Sequence, residues 1–274
     1  MNELLQSWPI LVALVVTGIF AGLLAGLFGV GGGIVIVPVL YFLLQSFGVS
    51  PESAMIIATA TSLATIVPTS ISSIKAHHKK GNIDIGLLKY WAGFILVFAV
   101  LGSLLAHNVK GGVLTLMFAV IALLVALNML FRAGAEAPFK QLPGKFGQSI
   151  MASLVGGLSV MIGIGGGTIG VPLLTSFNVK AHKAVGTAAV FGFLIALPGV
   201  LTLLTIGSTP ADAPFGTLGL INLPAFLLII PLTIFFAPIG ASLGAKLNPK
   251  QLKRAFAVVL VITSLRMLYQ VLAG

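Results

Sequence analysis

Two glycine runs carry the chemistry this sequence has to offer. Gly29-Val30-Gly31-Gly32-Gly33 and Gly163-Ile164-Gly165-Gly166-Gly167 share one glycine spacing. A proline follows each at the same distance, Pro38 or Pro172, and a glycine precedes each by seven residues, Gly22 or Gly156. Both runs lie in apolar segments, where clustered glycines weaken a helix and permit backbone shapes that other residues resist. Unpaired backbone is costly at membrane depth, so a helix broken there lines a cavity or lies buried in protein. The helix that restarts after the break offers free N–H groups and a partial positive charge, which together bind anions. Gly31, Gly32, Gly33, Gly165, Gly166, Gly167 and Thr168 are thus candidate binding residues for one small anion held between two such ends. The competing reading is tight helix packing through small residues, which the four-residue spacing of Gly18, Gly22 and Gly26 invites. A phosphate loop does not fit, because no strand precedes the glycines and no lysine follows at the required position.

Other polar residues inside apolar stretches are few. Arg266 is the one basic residue deep in a span, and intramembrane charges are functional by default. Its guanidinium could form a fork for an oxyanion, or it could snorkel to the interface. Asn128 occupies the matching place in the first half, since Leu127-Asn128-Met129-Leu130 aligns with Leu265-Arg266-Met267-Leu268. Thr59, Thr61, Ser62 and Thr65 crowd one span, with Thr187 in the place matching Thr61; their hydroxyls could donate to a substrate oxygen or merely bond back to helix carbonyls. His77, His78 and His182 lie among lysines and read as loop residues. No Asp or Glu falls inside a span, so neither the carboxylate proton relay of pumps nor an acid–base pair is at hand. There is no cysteine and no metal-binding motif. Neither an enzyme nor a cofactor or metal site is expected.

The elements that must hold these residues are membrane spans. The 274 residues are 58% hydrophobic and 7% charged, against about 25% charged in ordinary soluble domains. Net charge of +10 could speak for nucleic acid, but the basic residues sit in short loops and act as topology determinants. Met1-Asn2-Glu3 lacks the positive start of a signal peptide, so the first span is expected to persist. Apolar segments run at 10–28, 54–74, 87–106, 113–131, 146–162, 184–206, 222–243 and 256–272. Shorter pieces follow each glycine run, at 34–45 and 168–177. The β-branched Ile34–Val37 stretch is expected to be extended, with a helix starting near Pro38. Lys75–Lys80 is expected to be a loop, and Tyr90 and Trp91 to mark a membrane interface.

Duplication and charge then set the plan. If each broken segment crossed once, the basic residues would divide evenly between the two sides. If each is a hairpin returning to its own side, all Lys and Arg except Lys110 and Arg266 fall inside, as the positive-inside rule demands. The expected fold is therefore an all-α polytopic membrane protein of two inverted-topology repeats, each a glycine-broken hairpin plus three transmembrane helices. Residues 1–131 and 146–274 form the repeats, 132–145 a cytoplasmic linker, and both termini are periplasmic. Inverted repeats of this kind build many secondary transporters.

The doubled glycine pattern resembles the sulfite exporter TauE/SafE family, also called the toluene-sulfonate uptake permease family. Ala60-Thr61-Ser62-Leu63, Val185-Gly186-Thr187 and the His77-His78 to Gly81-Asn82-Ile83-Asp84 loop strengthen the likeness. The resemblance covers nearly the whole chain. It implies a bacterial inner-membrane permease for small sulfur anions such as sulfite or sulfonates, with the lipid bilayer as its other partner. Thr168-Ile169-Gly170 replaces the apolar run of the first repeat, so the two anion-facing ends differ. Export is favoured over import because a potential negative inside drives anions outward. An importer of sulfonates or other organic anions, and a non-transporting scaffold, remain as alternatives; a homodimer is left open.

Overall fold

The computed structural model describes residues 2–29, 31–131, 137–243 and 249–273. Val30, Arg132 and Lys246 lie outside the described residues, as do the side chains of Lys250 and Lys253. Among the described residues the fold is all-helical apart from one two-stranded ribbon. The helices are α1 Asn2–Phe28, α2 Gly33–Ser46, α3 Pro51–Lys79, α4 Ile85–Asn108, α5 Gly111–Phe131, α6 Lys145–Met161, α7 Gly167–Ser176, α8 Ala181–Ile206, α9 Leu223–Leu243 and α10 Pro249–Ala273. The ribbon pairs β1 Thr217–Leu218 with β2 Ile221–Asn222. Among the described residues seven helices are long and apolar enough to cross a membrane, and the protein is polytopic.

Three local expectations are corrected. Ile34–Val37 is helical, because α2 begins at Gly33; Ile34, Ile36 and Val37 are buried, and tertiary packing overrides their modest helix propensity. Lys75–Lys79 continues α3, so His77 is no loop residue; it is 4% exposed, with Nε2 3.1 Å from Gly26 O. Trp91 presents no surface to the lipid. It is fully buried, stacked 5.5 Å from Phe191, and donates Nε1–H to Gln148 Oε1.

Packing is set by glycines and made twice. Gly22 of α1 lies on Thr233 of α9, while Gly156 of α6 lies on Ile95 of α4. Thr233 and Ile95 each stand seven residues before the aligned pair Gly240 and Gly102. Gly240 in turn presses on Leu23, and Gly102 on Gly157, the residues beside Gly22 and Gly156. Small residues let helix backbones approach this closely without a hydrophobic drive between them. Helices α1 and α9 run parallel, with Gly18 against Leu232 and Gly26 against Ala237. Helices α3 and α8 run antiparallel, since Asp84 meets Thr187, Ser70 meets Gly192, and Leu63 meets Gly199.

The two ends of the bundle differ in charge. At one end Lys80 Nζ donates to Ala241 O at 2.6 Å and Lys183 Nζ to Gly81 O at 2.9 Å. Asn178 Nδ2–H reaches Lys140 O and the Tyr90 hydroxyl reaches Lys145 O at the same end. At the other end Gly111 packs on Glu52, and the Ser50 N–H donates to Asp212 Oδ2 at 2.8 Å. Hydrogen bonds from the Ser50 side chain, Ser53 and the Ser50 amide lower the Asp212 carboxyl to about 2. A carboxyl lowered in the folded state stabilises it above the ordinary pKa and loses that contribution as pH falls through the lowered one. Melting of detergent-solubilised protein is therefore expected to drop as pH goes from about 3.8 to about 2. Asp212→Asn should be flat across that window and start from the lower value.

Candidate functional site

The two glycine breaks meet inside the protein. Residues 31–33 and 163–167 are all buried. A Cβ at Gly31 would lie 3.3 Å from Gly165 Cα, and one at Gly33 would lie 2.6 Å from Gly163 O. The meeting point is halfway along α3, where Ser62 donates its hydroxyl to Gly163 O at 2.7 Å. The breaks need left-handed backbone, with φ of 64° at Gly29 and 71° at Gly163, a region costly for residues with a Cβ. Because each glycine then lies directly on a neighbouring chain (Gly29 on Val185, Gly163 on Thr59), substitution there is blocked twice over.

The short helices start at this level. Val35 and Ile36 donate to Gly32 O, and Thr168 to Gly165 O; these are first-turn bonds that leave earlier N–H groups without helical partners. Thr168, 2% exposed at the start of α7, has a hydroxyl with no partner. Seven of the sequence candidates, Gly31, Gly32, Gly33, Gly165, Gly166, Gly167 and Thr168, belong to the two breaks, and Ser62 bridges to them.

The remaining candidates are placed elsewhere. Thr61 Oγ1 accepts the N–H of Asn222 at 2.9 Å, and Thr187 Oγ1 accepts the N–H of Asp84 at 2.9 Å. Asp84 caps α4 by accepting from Leu87 N–H, and Asn222 receives the N–H of Ala225 in the same way at α9. Each threonine therefore anchors a helix start in the opposite half, a role invisible from local spacing. Arg266 is exposed, its guanidinium 4.1 Å from the Phe42 ring. Phe42 stands nine residues along α2 from Gly33, roughly 14 Å by helical rise, so Arg266 is remote from the breaks. Asn128 is half-buried on α5.

Thr59, one of the hydroxyl residues that crowd this span in the sequence, faces a cavity. A cavity of about 300 Å³ opens at the Asp212 end, lined among others by Glu52, Ser53, Thr59, His107, Leu203 and Leu220. Thr59 is 3% exposed, its hydroxyl unpartnered, and its Cα carries Gly163. The cavity thus reaches the second break through one residue.

A buried pair of glycine-broken helices within a polytopic bundle is the arrangement on which membrane transporters build their binding sites. Residues 14–267 match the family model described as sulfite exporter TauE/SafE, and the chain belongs to that family. A relative from Haemophilus influenzae, named "Probable membrane transporter protein", is 35% identical over 250 residues, covering 91% of this chain and 95% of its own. One from Methanocaldococcus jannaschii with the same description is 27% identical, covering 93% and 94%. The Bacillus subtilis protein YunE, also so described, is 26% identical, covering 94% and 97%. No solved structure matches the chain.

Proposed function

We propose that the protein is a secondary transporter of small sulfur oxyanions, sulfite or an organosulfonate, across the bacterial inner membrane, working in export. The observation that carries this reading is the meeting of two helix starts, α2 and α7, at glycine breaks deep inside the bundle. Their N–H groups, the Ser62 hydroxyl and the Thr168 hydroxyl supply donors without any acid that would repel an anion. In the described state the breaks touch, so the solute enters as they part.

The two halves, residues 1–131 and 146–274, act as inverted repeats joined by a cytoplasmic linker. Support comes from glycine contacts made twice with the halves exchanged and from the antiparallel course of α3 and α8, which occupy matching places in the two halves. The lysine-rich end is cytoplasmic by the positive-inside rule, which puts both termini and the cavity at the periplasmic end. Export needs no coupled ion, since the potential assists an anion by about 2.3 kcal/mol per charge per 100 mV.

Arg266 serves attraction rather than contact. Arg266→Glu, a charge reversal inside the span Phe256–Ala273, should lower anion flux and spare a neutral solute. The test of the function itself is flux from proteoliposomes loaded with sulfite, alongside thermal shifts with sulfite, thiosulfate, sulfoacetate, taurine and acetate. Saturable, potential-driven sulfite efflux and a shift with sulfite or a sulfonate are expected. No flux of any of these anions in either direction would leave a scaffold as the better reading.

A further inference from the structure

We propose that one face of α3, made by Thr59, Ser62, Ile66, Ser70, Ser73 and His77, is the path the oxyanion follows, and that Ile66 is the apolar closure across it. This rests on the transport reading. The spacing keeps all six side chains within a sector roughly 80° wide at 3.6 residues per turn. All six are 4% exposed or less.

Five polar groups on one buried face need an explanation, because each unpaired hydroxyl costs about 1–3 kcal/mol. The ordinary fate of Ser and Thr in membrane helices is to bond back to their own backbone. Thr65, off this face, does so, donating to Ser62 O at 2.7 Å, while Thr69 is satisfied by Thr65 O and Thr233 Oγ1, both at 2.7 Å. The face itself behaves differently. Thr59 and Ser70 have no partner, Ser62 reaches across to Gly163 O, and Ser73 and His77 turn to Ala25 O and Gly26 O of α1. The polar atoms of Ser62, Ser73 and His77 thus point at the two broken hairpins, while Ser70 Oγ lies against Gly192 of α8.

Helix α8 is an internal control. Counting from the aligned Thr61 and Thr187, the same face of α8 carries Val185, Ala188, Gly192, Ala196, Gly199 and Leu203. Close packing at this position is therefore achieved without a single hydroxyl, so packing does not call for those on α3. The smooth wall of α8 and the donors of α3 together suit a solute rich in acceptor oxygens.

Ile66 interrupts the polar face at the depth where the breaks meet. Its side-chain atoms lie 3.2 Å, 2.9 Å and 3.8 Å from the Cβ positions of Gly31, Gly33 and Gly192. Three glycines thus close on one isoleucine. On the cavity side stand Thr59 and Ser62; beyond it stand Ser70, Ser73 and His77. An apolar constriction between polar stretches holds back water and ions by dewetting.

The chain has no cysteine, so single cysteines report without background. In proteoliposomes, Thr59→Cys should react with membrane-impermeant sulfonatoethyl methanethiosulfonate from the cavity side, and Ser70→Cys should be protected from that side. Adding Ile66→Ala should expose Ser70→Cys to the reagent from the cavity side. Thr65→Cys in the same Ile66→Ala background should stay protected, which shows that the bundle has not simply opened. The inference fails if Thr59→Cys is inert, if Ser70→Cys ignores the Ile66 change, or if Thr65→Cys reacts equally. Because labelling does not depend on which solute moves, absent sulfite flux with this labelling pattern would sink the substrate but keep the path. Normal flux with Ser70→Cys blind to Ile66 would sink the path alone.

Discussion

Gly33→Ala is expected to abolish sulfite efflux from proteoliposomes while the protein still elutes as a folded, helical species. Gly33 has ordinary helical backbone, so alanine adds no conformational strain and even favours the helix. What it adds is one methyl group 2.6 Å from Gly163 O and 2.9 Å from both Ile66 Cδ1 and Ser62 Oγ. Overpacking of this kind costs about 1–3 kcal/mol, enough to distort the donor geometry where the breaks meet and disturb the Ser62–Gly163 hydrogen bond. Gly166→Leu should act alike from the other half, since its Cβ would fall 2.5 Å from Phe191 Cβ. Gly112→Ala is the matched control, with nothing within 4 Å of its Cβ, and should transport normally. Wild-type rates in Gly33→Ala would mean that solute does not pass between the breaks.

The second large effect is on stability. Thr61→Val and Thr187→Val keep shape but strip the acceptor from a buried backbone N–H, that of Asn222 or Asp84. Leaving such a donor unsatisfied costs about 1–3 kcal/mol, and with no shared partner the two losses should add in the double variant. Denaturation in detergent reads the loss, and flux per folded molecule should remain near wild type. The opposite pattern, unchanged stability with lost flux, would return both threonines to the solute-binding role that their positions in the sequence invite.

The difference between these two cases shows what the sequence makes legible. Apolar runs with Gly, Pro and Lys punctuation locate the spans to within a few residues, because lipid forces long uninterrupted helices. The glycine runs are equally plain, since only glycine tolerates both the turn and the contact. Partners distant in the chain are not readable. Thr61 meets a residue 161 positions away, and Thr187 one 103 away. His77 was obscured by its lysine neighbours: Lys75, His78 and Lys79 are exposed and make the stretch look solvated, while His77 faces inward. Its place in register with Thr59, Ser62, Ser70 and Ser73 is the signal that would have drawn it into the bundle. Trp91 went astray for a related reason, as a Lys-Tyr-Trp run fits an interface until α6 and α8 cover one side of it.

The crossed caps carry a consequence for how the protein is made. The amide of Asp84 leaves the ribosome 103 residues before the threonine that will accept its hydrogen bond, an interval of roughly five to twenty seconds at ordinary rates of synthesis. During that time the start of α4 is held by its own carboxylate and the lipid headgroup region alone. The first half is therefore an incomplete membrane insert, vulnerable to quality-control proteases until the second half arrives. Truncated chains ending near the linker should be cleared quickly, and co-production of the missing half should rescue them.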